Sequence, residues 1–192
     1  MTSHRRTRLA VLLAAGAGRR FVGPGHKLLA DLRGRPVVSH SLQAMVESDV
    51  GDCIVVHGAV DLSSVVGNVT VLHNPDWESG QRSSVDAALR YAADHDYDSV
   101  VIGLGDQPFV SPDAWRSVAD TDGDIVVATY DGTRGNPVKL GKSVWELFRV
   151  TDGDTDAGAR TLMHLHPELV REVACKGVSA DIDTPEDLAQ WT

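Results

Sequence analysis

The stretch "LLAAGAGRR" (residues 12–20) closes a short apolar run, passes through alanines and glycines too small to fill a core, and ends on two arginines. Two readings compete for it. In one, Arg5, Arg6 and Arg8 precede an apolar segment and small residues, the pattern of a secretory leader. In the other, a buried strand runs into a loop whose glycines let backbone N–H groups approach an anion, with Arg20 adding charge.

Four more short apolar runs rich in β-branched residues follow: "CIVVH" (53–57), "VTVLH" (69–73), "SVVIGL" (99–104) and "DIVVATY" (124–130). With "LAVLL" (9–13) they read as buried strands. Helical patterns lie between them, with Val38, Leu42, Met45 and Val46 on one face and Val85, Ala88, Leu89 and Ala92 on another. Such alternation predicts βαβ units, a mainly parallel sheet and helices on both of its faces. Ligands of such sheets bind beyond the carboxyl ends of the strands. Polar loops follow four of these runs: "AAGAGRRFVGPGHK", "NPDWESGQRSS", "GDQPFV" and "DGTRGNP".

The 192 residues, 42% apolar and 23% charged, fit one globular domain spanning 1–192. No apolar run is long enough to span a bilayer. Cys53 and Cys175 lack the spacing of a zinc site or a disulfide framework, which fits reduced thiols in a cytoplasm. A net charge of −9 argues against nucleic acid as a partner, yet residues 1–35 carry eight Lys/Arg against the single Asp31, a local +7 that leaves −16 for the rest. That island suits a small polyanionic ligand.

The glycine loop fits neither of two common phosphate motifs. After Gly16 and Gly18 the next glycine is Gly23, too late for G-x-G-x-x-G, and the Gly18-to-Gly23 spacing is followed by Pro24 rather than Lys-Ser/Thr. What remains is L-A-A-G-x-G-x-R from Leu13 to Arg20, then Lys27-Leu28-Leu29. In this the chain resembles the MobA-like nucleotidyltransferases, which attach CMP or GMP to molybdenum cofactor and related phosphorylated substrates. "LAAG", with "GDQP" (105–108) and "DIDTPEDL" (181–188), resembles the cytidylyltransferase branch within that family.

The resemblance implies a three-layer α/β/α sandwich of the nucleotide-diphospho-sugar transferase type, with an antiparallel contribution near the acceptor side. It implies CTP as donor, Mg²⁺ as metal and a molybdopterin-type cofactor as acceptor, with a molybdenum hydroxylase or dehydrogenase as a further partner. The nucleotide would lie on Leu13, Ala14, Ala15, Gly16 and Gly18, Arg20 and Lys27 would neutralise phosphate charge, and Asp106 and Asp183 would hold the metal, with Asp181 in reserve. Arg82, Ser83 and Ser84 would select the base, one of the serines also being open to a helix N-cap role. Thr184, Pro185, Glu186 and Asp187 already supply an ordinary helix start, leaving Asp183 over. Lys27, in a loop, is expected to be exposed and to add little to stability.

Gly135, Asn136 and Pro137 in "GTRGNPVKL", and "GDTDAGAR" (153–160), resemble the acceptor-side segments, with Asn136 where the branch usually has histidine and the second motif longer by two residues. "HLH" (164–166) is expected at the surface, because residues two apart on a helix point different ways. Guanylyl transfer from GTP, cytidylyl transfer to methylerythritol phosphate, guanylyl transfer to phospholactate-like acids, and a cofactor-binding chaperone without turnover remain as alternatives. A leader cleaved after "AAGA" would remove the first strand and the glycine loop that the downstream motifs require, so "LLAAGAGRR" is read as the floor of a site.

Overall fold

A computed structural model describes residues 7–23, 25–151 and 158–192. In chain order the elements are β1 (Arg8–Ala14), β2 (Asp31–Leu32), β3 (Arg35–Pro36), α1 (Val37–Ser48), β4 (Asp52–His57), β5 (Thr70–His73), α2 (Gln81–Asp94), β6 (Ser99–Leu104), α3 (Pro112–Asp120), β7 (Ile125–Tyr130), β8 (Thr133–Gly141), α4 (Trp145–Val150), α5 (Arg160–Leu165), β9 (Val170–Ala174) and α6 (Pro185–Ala189). Seven strands form one sheet in the order β5-β4-β1-β6-β8-β7-β9. β1 pairs in parallel with β4 on one side and β6 on the other, so the run opening the quoted stretch is an interior strand. β8 alone runs antiparallel, against β6 and β7, and β9 returns parallel to β7.

Side chains of a strand alternate between faces, and β1 splits its residues accordingly. Leu9, Val11 and Leu13 join the core beneath α2, α4 and α5, where Val85, Leu89, Phe148 and Leu162 pack. Ala10, Leu12 and Ala14 face α1 and α3, against Val38, Met45 and Trp115. Both faces are therefore covered, which is why the strands read as nearly continuous apolar runs. The helical faces fall as expected, except that Val46 sits one position past the buried stripe of α1 and is 46% exposed.

Four strands were not legible as such. β8 carries Gly135 and Pro137 and reads as a loop, yet it joins the sheet through a register shift opposite Val127 and Ala128. β9 is a sheet edge with three of its five residues exposed. The β2–β3 hairpin turns on Arg33 and Gly34, both at positive φ, as a two-residue turn of this kind requires. A third, smaller core of Leu32, Val37 and Ile182, with Phe21, Phe109, Leu188 and Trp191 around it, seats the C-terminal segment beside the glycine loop.

One glycine makes a close approach that tests this packing. A Cβ on Gly103, in β6, would stand 2.4 Å from a ring carbon of the buried Trp115. Gly103→Ala is expected to cost about 1–3 kcal/mol through overpacking, read as a lower denaturant midpoint at unchanged slope; an unmoved midpoint would show that α3 can shift to admit a methyl group.

Candidate functional site

The loops after β1, β5 and β6 and the segment before α6 line a cleft of about 500 Å³ at the carboxyl edge of the parallel strands. Its floor is the glycine loop. Gly18 adopts φ +61°, and the Phe21 N–H donates to its carbonyl at 2.9 Å, while a Cβ at Gly16 would meet nothing within 4 Å. Leu13, Ala15, Gly16 and Gly18 line the cleft, but Ala14 is buried in the core on the α1 side. His26 braces the loop from behind: its Nε2–H donates to Gly16 O at 2.9 Å, and its Nδ1 accepts from the Leu28 N–H at 3.3 Å, which fixes the tautomer. Burial lowers the His26 pKa, against the Gly16 hydrogen bond.

Lys27 opens a short 3-10 turn and is buried, contrary to the expectation of an exposed loop lysine. Its ammonium lies 2.5 Å from Asp106 Oδ2 and 2.7 Å from Asp183 Oδ1. Arg20 reaches Asp183 Oδ2 at 2.7 Å. Burial pulls the Lys27 pKa down, but the charge of Asp106, the hydrogen bonds to both aspartates and the charge of Asp183 outweigh it, and the net shift is upward. Four residues singled out in the sequence, Arg20, Lys27, Asp106 and Asp183, thus meet at one point.

Backbone bonds explain how distant segments arrive there. The Gly105 N–H donates to Leu13 O at 2.8 Å, and the Ile182 N–H donates to Asp106 O at 2.9 Å, so both aspartates are pinned to the end of β6. Thr184 caps α6 in a reciprocal capping box with Asp187, as the sequence predicts, and Asp187 Oδ2 also accepts from the Asp183 N–H at 3.1 Å. Asp183 therefore stands outside the helix start with its side chain free to face Lys27. Asp181 lies at the same edge of the cleft, accepting from Gln107 Nε2 at 2.8 Å, and burial first, then the charge of Asp106, raises its pKa.

The three residues expected to select the base separate. α2 begins at Gln81 with Gly80 as N-cap and no side-chain cap, so neither serine caps it. Ser84 is buried and lines the cleft; Ser83 is turned to its own loop, 2.8 Å from Gly80 O and 2.9 Å from Asp76 O. Asn74 Nδ2 donates to both hydroxyls. Arg82 is not in the cleft. Its guanidinium lies over the Phe148 ring, 4.3 Å from the centroid, and donates to the Phe148 carbonyl at the end of α4, in a separate concavity of about 840 Å³. One turn of helix carries Gln81 and Ser84 on one side and Arg82 on the other. Gln81, Trp77 and Glu78 line the cleft and carry no separate signal in the sequence.

A second chamber of about 310 Å³ opens beside the cleft and shares Leu13, Gln81, Leu104 and Arg160 with it. Gly135 and Asn136 line it, with Pro137 next along β8. Tyr130 donates to Asn136 O at 2.7 Å. Arg160, the end of "GDTDAGAR", borders both spaces, while residues 153–157 of that motif lie outside the described residues. His164 is exposed at the rim of the chamber, and His166 faces Glu168 at 3.3 Å, so the two point apart.

Among the described residues no group of three or more His, Cys, Asp or Glu forms a metal cage. A hard, mostly hydrated ion such as magnesium does not require one, since one or two carboxylates and substrate phosphates suffice. Asp106 and Asp183 fit that demand. Asp106 Oδ1 is buried without a hydrogen-bond partner, an acceptor that a cation could satisfy.

The family described as the MobA-like NTP transferase domain matches residues 10–172. The chain belongs to this family. This MobA-like nucleotidyltransferase is 32% identical over 193 residues to Nicotine blue oxidoreductase of Paenarthrobacter nicotinovorans and 30% identical over 195 residues to Purine catabolism protein PucB of Bacillus subtilis, in each case across 93% of both chains. It is 34% identical over 121 residues to 3-deoxy-manno-octulosonate cytidylyltransferase of Rhodospirillum centenum, covering 62% of this chain and 46% of that one. The crystal structure of Rv0371c from Mycobacterium tuberculosis H37Rv superposes with a TM-score of 0.79 at 26% identity over 96% of each chain. Its complex with manganese gives 0.74 at 25%, over 96% of this chain and 97% of that one. The expected α/β fold of a nucleotide-sugar transferase is therefore found. No helix among the described residues is long and apolar enough to cross a membrane.

Proposed function

We propose that this nucleotidyltransferase transfers a cytidylyl group from CTP to the phosphate of a molybdopterin-type cofactor, with Mg²⁺, releasing pyrophosphate. It would act in the cytoplasm as one domain over residues 1–192, handing its product to a molybdenum hydroxylase or dehydrogenase. The observation that carries the reading is the meeting of Arg20, Lys27, Asp106 and Asp183 over a glycine loop, next to a chamber lined by Gly135 and Asn136.

The acceptor's phosphate oxygen attacks the α-phosphorus, the bond from that phosphorus to the bridging oxygen of the β-phosphate breaks, and pyrophosphate leaves. An ionised phosphate needs no general base, so catalysis reduces to positioning and charge neutralisation. Backbone groups from Ala15 to Gly18 hold the triphosphate, and Lys27 and Arg20 neutralise charge on the leaving group. Asp106 and Asp183 hold the metal, which when bound supplies Lewis acidity at the phosphates; Asp181 steadies the edge of that site through Gln107. Ser84 and Gln81, rather than Arg82, face the base, and the chamber takes the acceptor.

The manganese complex of Rv0371c and the cytidylyltransferase relative support a divalent metal and a cytidine nucleotide. The test is pyrophosphate release, screening the four nucleotides against molybdopterin cofactor and simpler phosphate acceptors. CTP is expected to exceed GTP at least tenfold in kcat/KM, about 1.4 kcal/mol in transition-state binding. Equal or reversed preference removes the cytidylyl assignment, and binding without pyrophosphate release would favour a chaperone.

A further inference from the structure

The two carboxylates that suit a metal are already engaged by the chain's own cations. Lys27 spans Asp106 and Asp183, and Arg20 takes the second oxygen of Asp183, leaving Asp106 Oδ1 as the carboxylate oxygen of this pair without a partner. Resting on the reading in which Asp106 and Asp183 hold the metal, we propose that Lys27, aided by Arg20, is a place-holder cation that closes the metal site of the nucleotide-free protein until a triphosphate draws both side chains onto its own oxygens.

The argument is one of charge and reach. A divalent cation approaching these oxygens with Lys27 in place would meet an ammonium at contact distance, and like charges so close repel strongly in a half-buried site. Lysine carries a compact charge on a flexible stem, so its head can pivot while the 3-10 turn holds its backbone. The Arg20 side chain is 75% exposed and has little packing to lose. Both side chains line the same cleft as Gly16 and Gly18, so a triphosphate on the glycine loop competes directly with the aspartates for them. Releasing the carboxylates is then part of binding the nucleotide. Metal and nucleotide must favour each other, by the same factor whichever arrives first.

Mn²⁺, followed by the loss of its free-ion EPR signal, reports the site without nucleotide or turnover. Lys27→Met is expected to bind Mn²⁺ at least tenfold more tightly than wild type, and adding Asp183→Asn should abolish the gain. Lys27→Arg, which keeps the charge, should stay near wild type, and the exposed Arg20→Met should show a smaller gain. Unchanged affinity in both Lys27→Met and Arg20→Met overturns the proposal. So does an equal gain in Lys27→Arg and Lys27→Met, which would mark loosened packing rather than released charge. If Lys27→Met does not fold, Arg20→Met decides: a gain supports the place-holder and its absence overturns it. Failure of the functional reading looks different, as wild type that releases no pyrophosphate from any nucleotide.

Discussion

Asp106→Asn, Asp183→Asn and the double variant are expected to fall to nearly the same turnover, each about three orders of magnitude below wild type, because residues that act as one unit are strongly non-additive. Their side chains share Lys27 and stand at one edge of the cleft, so losing either removes the same function. The fold should survive, since each single variant leaves Lys27 a charged partner and the Ile182-to-Asp106 bond is made by backbone. Metal-dependent pyrophosphate release from the three variants is the measurement. Losses that multiply, or near-normal turnover in Asp183→Asn, would show that Asp183 belongs only to the start of α6 and would direct attention to Asp181.

Lys27→Met is expected to lower turnover by about 10²–10³, the size found when one preorganised charge-stabilising group is removed. Unlike the aspartate changes it should also lower the melting temperature. It leaves two carboxylates facing each other with only Arg20 near, and breaking a fully buried pair costs about 3–5 kcal/mol. Here the aspartate side chains are 19% and 17% exposed, so water screens part of the repulsion and about 1–3 kcal/mol is expected. The sign with pH follows from the raised Lys27 pKa. Its stabilisation is fully present below the unfolded value and is lost only as pH climbs through the higher folded value, so the deficit of Lys27→Met should persist across the neutral range. Normal turnover with a large thermal loss would recast Lys27 as a structural residue.

Much of this site could be read from the chain because its parts are local. A strand must end where its apolar run ends, so Gly16, Gly18 and Asp106 fall at the sheet edge whatever the rest does, and the capping box at Thr184 leaves Asp183 outside α6 by elimination. What escaped depends on direction or on partners far along the chain. Arg82 is two residues from Ser84, but a helix turns about 100° per residue, and once α2 starts at Gln81 the arginine points toward α4. β8 carries turn-forming residues and becomes a strand only because β6 and β7 offer open edges on both sides. His26 and Asn74 support the glycine loop and the serines through single hydrogen bonds, and one histidine or asparagine in a loop gives no pattern to find.

The bond between Lys27 and Asp183 joins residues 156 positions apart. At ribosomal speeds of about 5–20 residues per second, Asp183 is added roughly 8–30 s after Lys27. The glycine loop and the interior strands are thus made well before the carboxylate that completes the site. On the proposed reading, a nascent chain presents the glycine floor while still lacking Asp183, so activity would begin only once translation has passed that residue, and chains terminated before it would be inert rather than partly working.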